Sequence, residues 1–158
     1  MFAERKVIAI GSDHAGFLLK EALEDELVAG GYTVVDFGTD SEESCDYPDF
    51  GLKVAEAVSG GEAWRGVLVC GTGAGMAMVA NKVPGVRAAA CNEPYTAEYC
   101  RLHNDANVLT MGARIVDLQA AKRILHAFLD AEYEGEASRH ERRLSKIREV
   151  ERKYMREV

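Results

Sequence analysis

Cys70, Gly71, Thr72, Gly73, Ala74 and Gly75 set a thiol before three glycines at alternate positions, after the apolar run Val67-Leu68-Val69 and before a helical pattern over Met76 to Lys82. Glycines spaced in this way let backbone N–H groups converge on one anion, and a following helix N-terminus adds partial positive charge. The same donors favour thiolate over thiol. The segment reads as a reactive sulfur at the lip of an oxyanion site.

A second glycine-bearing loop, Gly11-Ser12-Asp13-His14-Ala15-Gly16, carries an acid and an imidazole side by side. His14 is either a polar loop residue or a ligand contact. Tyr47-Pro48 follows an acidic stretch, Ser41 to Asp46, that reads as a solvated turn or as part of a site rim. His103 stands at a helix end, where an imidazolium is favoured for structural reasons alone. His126, among apolar neighbours on a long helical pattern, is assigned a structural role. Arg139, Arg142 and Arg143 surround His140 and suit either a solvated helix start or a bidentate phosphate grip.

Spacing separates the loop from better known anion cradles. An ATPase loop needs Gly-Lys-Ser/Thr, and no Lys stands there; a Cys-dependent phosphatase needs Arg where Met76 stands. A dinucleotide fold has Asp36 at a suitable strand end, but Gly11 to Gly16 lacks the middle glycine and Gly71 to Gly75 brings the third one residue early. It remains a minority reading.

The elements that must position these groups alternate along the chain. Strand patterns cover Val7 to Ile10, Thr33 to Phe37, Gly66 to Cys70, Val86 to Ala90 and Asn107 to Met111. Helices lie between them, including Gly16 to Ala29, with Phe17, Leu18, Leu23, Leu27 and Val28 apolar, Ser12 or Asp13 as its cap and Gly30-Gly31 ending it. Asp117 to Glu132 is another, with Leu118, Ala121, Leu125, Phe128 and Leu129 on one stripe. Parallel strands need crossovers, which are right-handed helices in nearly every case. The pattern predicts a three-layer α/β/α, Rossmann-like, doubly wound five-stranded parallel sheet with a C-terminal helix. With an order beginning 2-1-3, both glycine loops meet at the switch point between the first and third strands.

At 158 residues the chain fits one domain: residues 1–138 as the α/β unit and 139–158 as a basic terminal helix of the same domain. The net charge of −7 divides into +4 over residues 139–158 and −11 over the rest, which argues against a general nucleic-acid binder. No apolar run approaches the ~20 residues of a membrane span, and nothing resembles a signal peptide, so a cytoplasmic location is expected. Cys45, Cys70, Cys91 and Cys100 form no metal-ligand spacing and read as free thiols, Cys91 and Cys100 as small buried hydrophobes. Leu144, Ile147, Val150, Tyr154 and Met155 form a narrow apolar stripe suited to docking on a second subunit.

Seven segments in order, Gly11 to Phe17, Asp46 to Pro48, Cys70 to Gly75, Ala80 to Ala88, His103 to Asn107, Met111 to Arg114 and Arg139 to Arg143, resemble the ribose-5-phosphate isomerase B family, which includes galactose-6-phosphate isomerase subunits. The resemblance implies interconversion of an aldose phosphate and a ketose phosphate through an enediolate, with no cofactor and no metal. It implies Asp13 and His103 for ring opening and Cys70 as the base at carbon 2. The backbone of Gly71, Gly73, Ala74 and Gly75, with the Thr72 hydroxyl, would stabilise the enediolate. His14, Arg114, Arg139 and Arg143 would hold phosphate, and Tyr47 and Asn104 would contact substrate. Some members lack the cysteine and carry a Glu base where this chain has Met76. The site would lie at the interface of a homodimer or homotetramer, with Cys70 and Arg114 expected from opposite sides. The sugar stays open between ribose 5-phosphate, allose 6-phosphate, galactose 6-phosphate and tetrose phosphates. The competing class is a non-catalytic sugar-phosphate or nucleotide sensor, which needs the arginines and glycines but no acid-base set.

Overall fold

A computed structural model describes residues 4–155; the expected helix residues 156–158 lie outside them. The elements run β1 (Val7–Ser12), α1 (Phe17–Ala29), β2 (Thr33–Asp36), α2 (Tyr47–Ser59), β3 (Arg65–Cys70), α3 (Ala74–Ala80), β4 (Ala88–Ala90), α4 (Pro94–Asn104), β5 (Val108–Gly112), α5 (Leu118–Asp130) and α6 (Arg139–Tyr154). All five strands are parallel, in the order β2-β1-β3-β5-β4, so the expected 2-1-3 start and the switch point are both present.

Side chains alternate across the sheet and build a core on each face. Ile8, Ile10, Val67, Val69, Leu109 and Met111 pack with Leu23 and Leu27 of α1, Ala97 of α4 and Ile124, Leu125 and Phe128 of α5. Ala9, Leu68 and Val108 point the other way, onto Val54 and Val58 of α2 and Met76 and Ala80 of α3. Helices therefore cover both faces.

The buried face of α1 differs from the sequence reading. Leu18 and Val28 are exposed, while Lys20 is fully buried among Leu23 and Leu27. Its ammonium pairs with Asp36 and Glu21. Burial, the largest single influence, lowers the Lys20 pKa, yet the hydrogen bonds to these two carboxylates outweigh it and the net shift is upward. Asp36 also accepts from Gly38 N at 2.8 Å, so the acid that a dinucleotide would need for its ribose is already engaged. The helix cap differs as well. Gly16 is the N-cap, with no side-chain cap, and Asp13 Oδ1 instead accepts from Gly16 N at 3.0 Å.

Gly16 must come very close to β3. A Cβ there would lie 2.6 Å from Val69 O, a backbone atom that cannot turn aside. Gly16→Ala is expected to destabilise the fold by about 1–3 kcal/mol, read as a fall of several degrees in Tm, and to loosen the Asp13 carboxylate that Gly16 N holds. An unchanged melting curve would show that α1 shifts freely.

Candidate active site

Cys70 closes β3, and the chain then turns through Gly73, whose φ of 85° is left-handed backbone that glycine adopts without strain. The turn brings Gly73 N to 3.2 Å from Cys70 Sγ, to which it donates, and the sulfur is buried. The loop is pinned from β5: Thr110 Oγ1 donates to Gly73 O at 2.7 Å, Ala113 N to Cys70 O at 2.8 Å, and Arg114 N to Gly71 O at 3.1 Å. Asn92 clamps it from the other side, donating to Thr72 O at 3.1 Å while its Oδ1 accepts from Gly112 N at 2.8 Å. Thr110 and Asn92 were not singled out in the sequence, although a threonine inside the apolar run Val108-Leu109-Thr110-Met111 marks a buried hydroxyl in need of an acceptor.

The other residues of this edge gather around the loop. Arg114 lies over it, with Nη1 only 3.2 Å from where a Gly71 Cβ would be. Tyr47, at the start of α2, sets its ring against Gly75. Asp13 is buried at the end of β1, beside β3 in the sheet. Cys45 N donates to His14 Nδ1 at 3.2 Å, which places the proton of a neutral ring on Nε2 and leaves that N–H free for an anion. Thr72 Oγ1 accepts from Ala74 N at 3.3 Å. Met76, at the position where the resemblance implies a Glu base in some members, is fully buried with Sδ against Gly51.

His103, Asn104, Arg139 and Arg143 do not join them. Cys70 pairs with Gly112 and Gly66 with Val108, so Val108 sits at the opposite edge of the sheet, about 13 Å away along β3. The α4 helix runs back to that edge and delivers His103 and Asn104 there, just before β5 begins. They line a cleft of about 380 Å³ with Tyr95, Tyr99, Arg139 and Arg143. Arg114 thus belongs to the Cys70 edge, against the expectation that the two come from opposite sides; the tight turn after β5 leaves it no other place.

The amino edge holds a grouping that no sequence spacing shows. His103 stacks on His140 with centroids 3.9 Å apart and planes 16° apart, and Glu134 reaches both, at 3.5 Å from His103 Nε2 and 3.2 Å from His140 Nε2. Burial, then His103 and the charges of Arg139 and Arg143, hold the His140 pKa below its ordinary value against the pull of Glu134. His126 pairs with Glu26 at 2.8 Å on the surface between α5 and α1, in keeping with its structural assignment. Cys91 and Cys100 are buried side by side, with Sγ atoms 4.0 Å apart.

The sequence and the fold have counterparts among known proteins. The model of the Ribose/Galactose Isomerase family matches residues 8–147. The chain belongs to this family. Ribose-5-phosphate isomerase B of Escherichia coli strain K12 is 49% identical over 148 residues, covering 94% of this chain and 98% of that protein. D-erythrulose-4-phosphate isomerase of Pectobacterium atrosepticum is 46% identical over 132 residues, covering 83% and 87%. The structure of a Clostridium thermocellum ribose-5-phosphate isomerase B superposes with a TM-score of 0.92 at 54% identity, over 94% of this chain and 99% of that one. The isomerase-family fold thus extends through all five strands and into α6.

Proposed function

We propose that this isomerase-family chain interconverts ribose 5-phosphate and ribulose 5-phosphate, and that its active site forms only where two copies meet. The observation that carries the reading is the division of the site across the sheet. The thiol, Asp13, His14, the glycine loop and Arg114 occupy the carboxyl edge, and His103, Asn104, Arg139 and Arg143 the amino edge. One chain holds a complete set of groups and cannot close it on itself; a homodimer, alone or paired into a tetramer, can do so twice. Ile147 and Val150 of α6, half exposed, line with Val86, Ala88 and Ala89 of the edge strand region a groove of about 470 Å³, which a second copy would cover.

In this reading Asp13 and the second copy's equivalent of His103 exchange protons with the ring oxygen and the anomeric hydroxyl to open the sugar. The Cys70 thiolate takes the proton from carbon 2 and returns it to carbon 1. Backbone N–H groups between Gly71 and Gly75, with the Thr72 hydroxyl, receive the charge that builds on the enediolate oxygen. Phosphate is gripped by His14 Nε2–H and Arg114 from one side and by Arg139 and Arg143 from the other. Tyr47 and Asn104 border the sugar. Among the described residues no helix is long and apolar enough to cross a membrane; the cytoplasmic location that belongs to this reading is one in which free thiols such as Cys70 stay reduced.

The Pectobacterium relative, named for D-erythrulose 4-phosphate, favours a tetrose phosphate as a second substrate reading. Rates measured side by side on ribose 5-phosphate, erythrulose 4-phosphate, allose 6-phosphate and galactose 6-phosphate decide between them. Failure to turn over ribose 5-phosphate would overturn the first reading. His103→Ala is expected to cost at least tenfold more on ribose 5-phosphate than on the open-chain tetrose, because only the ring-forming sugar needs opening; equal losses would remove His103 from that step. Exhaustive dialysis against a strong chelator is expected to leave the activity intact, since every enediolate donor named above belongs to the chain. A loss restored by a divalent ion would contradict the mechanism.

A further inference from the structure

We infer that Asn92 is a positioning residue of the isomerisation: it locks the Thr72–Gly73 peptide so that the Gly73 N–H faces the Cys70 sulfur and the Thr72 carbonyl faces away. This role rests on the proposed function, in which Cys70 is the base and the glycine loop receives the enediolate charge. Asn92 acts on both through backbone.

Four consecutive carbonyls of the turn are held from outside it. Cys70 O accepts from Ala113 N at 2.8 Å and Gly71 O from Arg114 N at 3.1 Å. Gly73 O accepts from Thr110 Oγ1 at 2.7 Å and also from Ala77 N at 3.1 Å, in the first turn of α3. Among the described residues Thr72 O has a single donor, the Asn92 side-chain amide at 3.1 Å, and so it is the one carbonyl of the four without a backbone donor. The amide is itself aligned. Its Oδ1 accepts from Gly112 N at 2.8 Å, and only this orientation of the side chain satisfies both contacts. Gly112 brings the loop close enough for the clamp to reach, since a Cβ there would lie 2.6 Å from Thr72 Cα.

A trans peptide is planar, and its C=O and N–H point in opposite directions. By holding the Thr72 carbonyl, Asn92 therefore aims the Gly73 N–H the other way, where it meets Cys70 Sγ at 3.2 Å. Turning this peptide over changes ψ of Thr72 and φ of Gly73. Glycine accepts φ of either sign, so the present φ of 85° does not by itself hold the orientation. The next peptide is better secured, because its carbonyl has two donors and its nitrogen belongs to Ala74, the first residue of α3. A flipped Thr72–Gly73 peptide takes the N–H from the sulfur and presents a carbonyl oxygen instead, which repels the thiolate and the charge developing on the enediolate. Substrate binding rests on the phosphate grip, so the loss falls on turnover.

Two substitutions test the lock. Asn92→Asp keeps an acceptor for Gly112 N but sets a carboxylate oxygen against Thr72 O, and Asn92→Ala removes both bonds. Each is expected to lower kcat on ribose 5-phosphate about tenfold to a hundredfold, short of the full loss of an oxyanion donor because the peptide still samples its native orientation. KM is expected to stay within about twofold. Affinity for a hydroxamate phosphate that copies the planar enediolate, measured by calorimetry, is expected to fall by a comparable factor to kcat. Thr110→Val is expected to cost less, since Ala77 N still holds Gly73 O. Unchanged kcat in both Asn92 variants would overturn the lock. A fall in kcat with hydroxamate affinity retained, or one matched by a rise in KM, would overturn it too, as general disturbance of the site. Cys70→Ala separates the lock from the base assignment: near-normal turnover there beside a loss in the Asn92 variants overturns the base and leaves the lock, whereas the reverse pattern overturns the lock alone.

Discussion

Cys70→Ala is expected to lower turnover of ribose 5-phosphate by about a hundredfold to ten-thousandfold, the usual cost of losing a proton-transfer group. KM should stay near its original value, because the phosphate grip lies elsewhere. The sulfur is the group to which the glycine turn donates, at 3.2 Å from Gly73 N, and the neighbouring position that could hold an alternative base is Met76, buried against Gly51. A second thiol supplies the control. Cys45 Sγ lies 3.9 Å from His14 Nδ1, but it is the Cys45 backbone N–H that orients the ring. Cys45→Ala keeps that N–H and is expected to retain most of the activity. Comparable losses in the two variants would point to general disturbance of the crevice, and near-normal turnover by Cys70→Ala would remove the thiol from the mechanism.

The parts of the fold that were legible in the sequence are those that rest on local repetition. Short strand-like runs, four of them followed directly by a glycine, give the five strands, and the common strand order beginning 2-1-3 gives the switch point where the Asp13 and Cys70 loops meet. Burial on α1 was not legible, because Lys20 takes a core position only through carboxylates brought by β2 and by its own helix. Leu18 and Val28, apolar by type, are left outside. The pins of the glycine loop were hidden for a related reason: Thr110 and Asn92 act on backbone atoms roughly twenty to forty residues away in the chain, and only strand register shows which. Glu134 and His140 meet His103 through three separate elements, with no motif spacing to announce them. The resemblance implied a set of site residues and a site shared between chains, but not which residue stands on which edge. Arg114 was misplaced on that account, and the correction changes the experiment that tests the assembly.

Mixing two inactive variants is expected to restore activity only when their lesions lie on opposite edges of the sheet. Cys70→Ala breaks the carboxyl-edge half and Arg139→Ala the amino-edge half. In a mixed dimer one site carries both lesions, while the other joins the intact Cys70 edge of one chain to the intact Arg139 edge of its companion. Random exchange makes half of the dimers mixed, so an equimolar mixture should reach about a quarter of the unsubstituted activity once subunits have exchanged. Cys70→Ala mixed with Arg114→Ala provides the decisive comparison. Those two lesions share an edge, since the Arg114 guanidinium lies on Gly71, and every site in every mixed dimer then carries one of them. That mixture should stay at the level of the separate variants. Recovery in both mixtures, or in neither after exchange is confirmed by mass, would contradict a site divided between the edges; a monomer with full activity in sedimentation would contradict a shared site altogether.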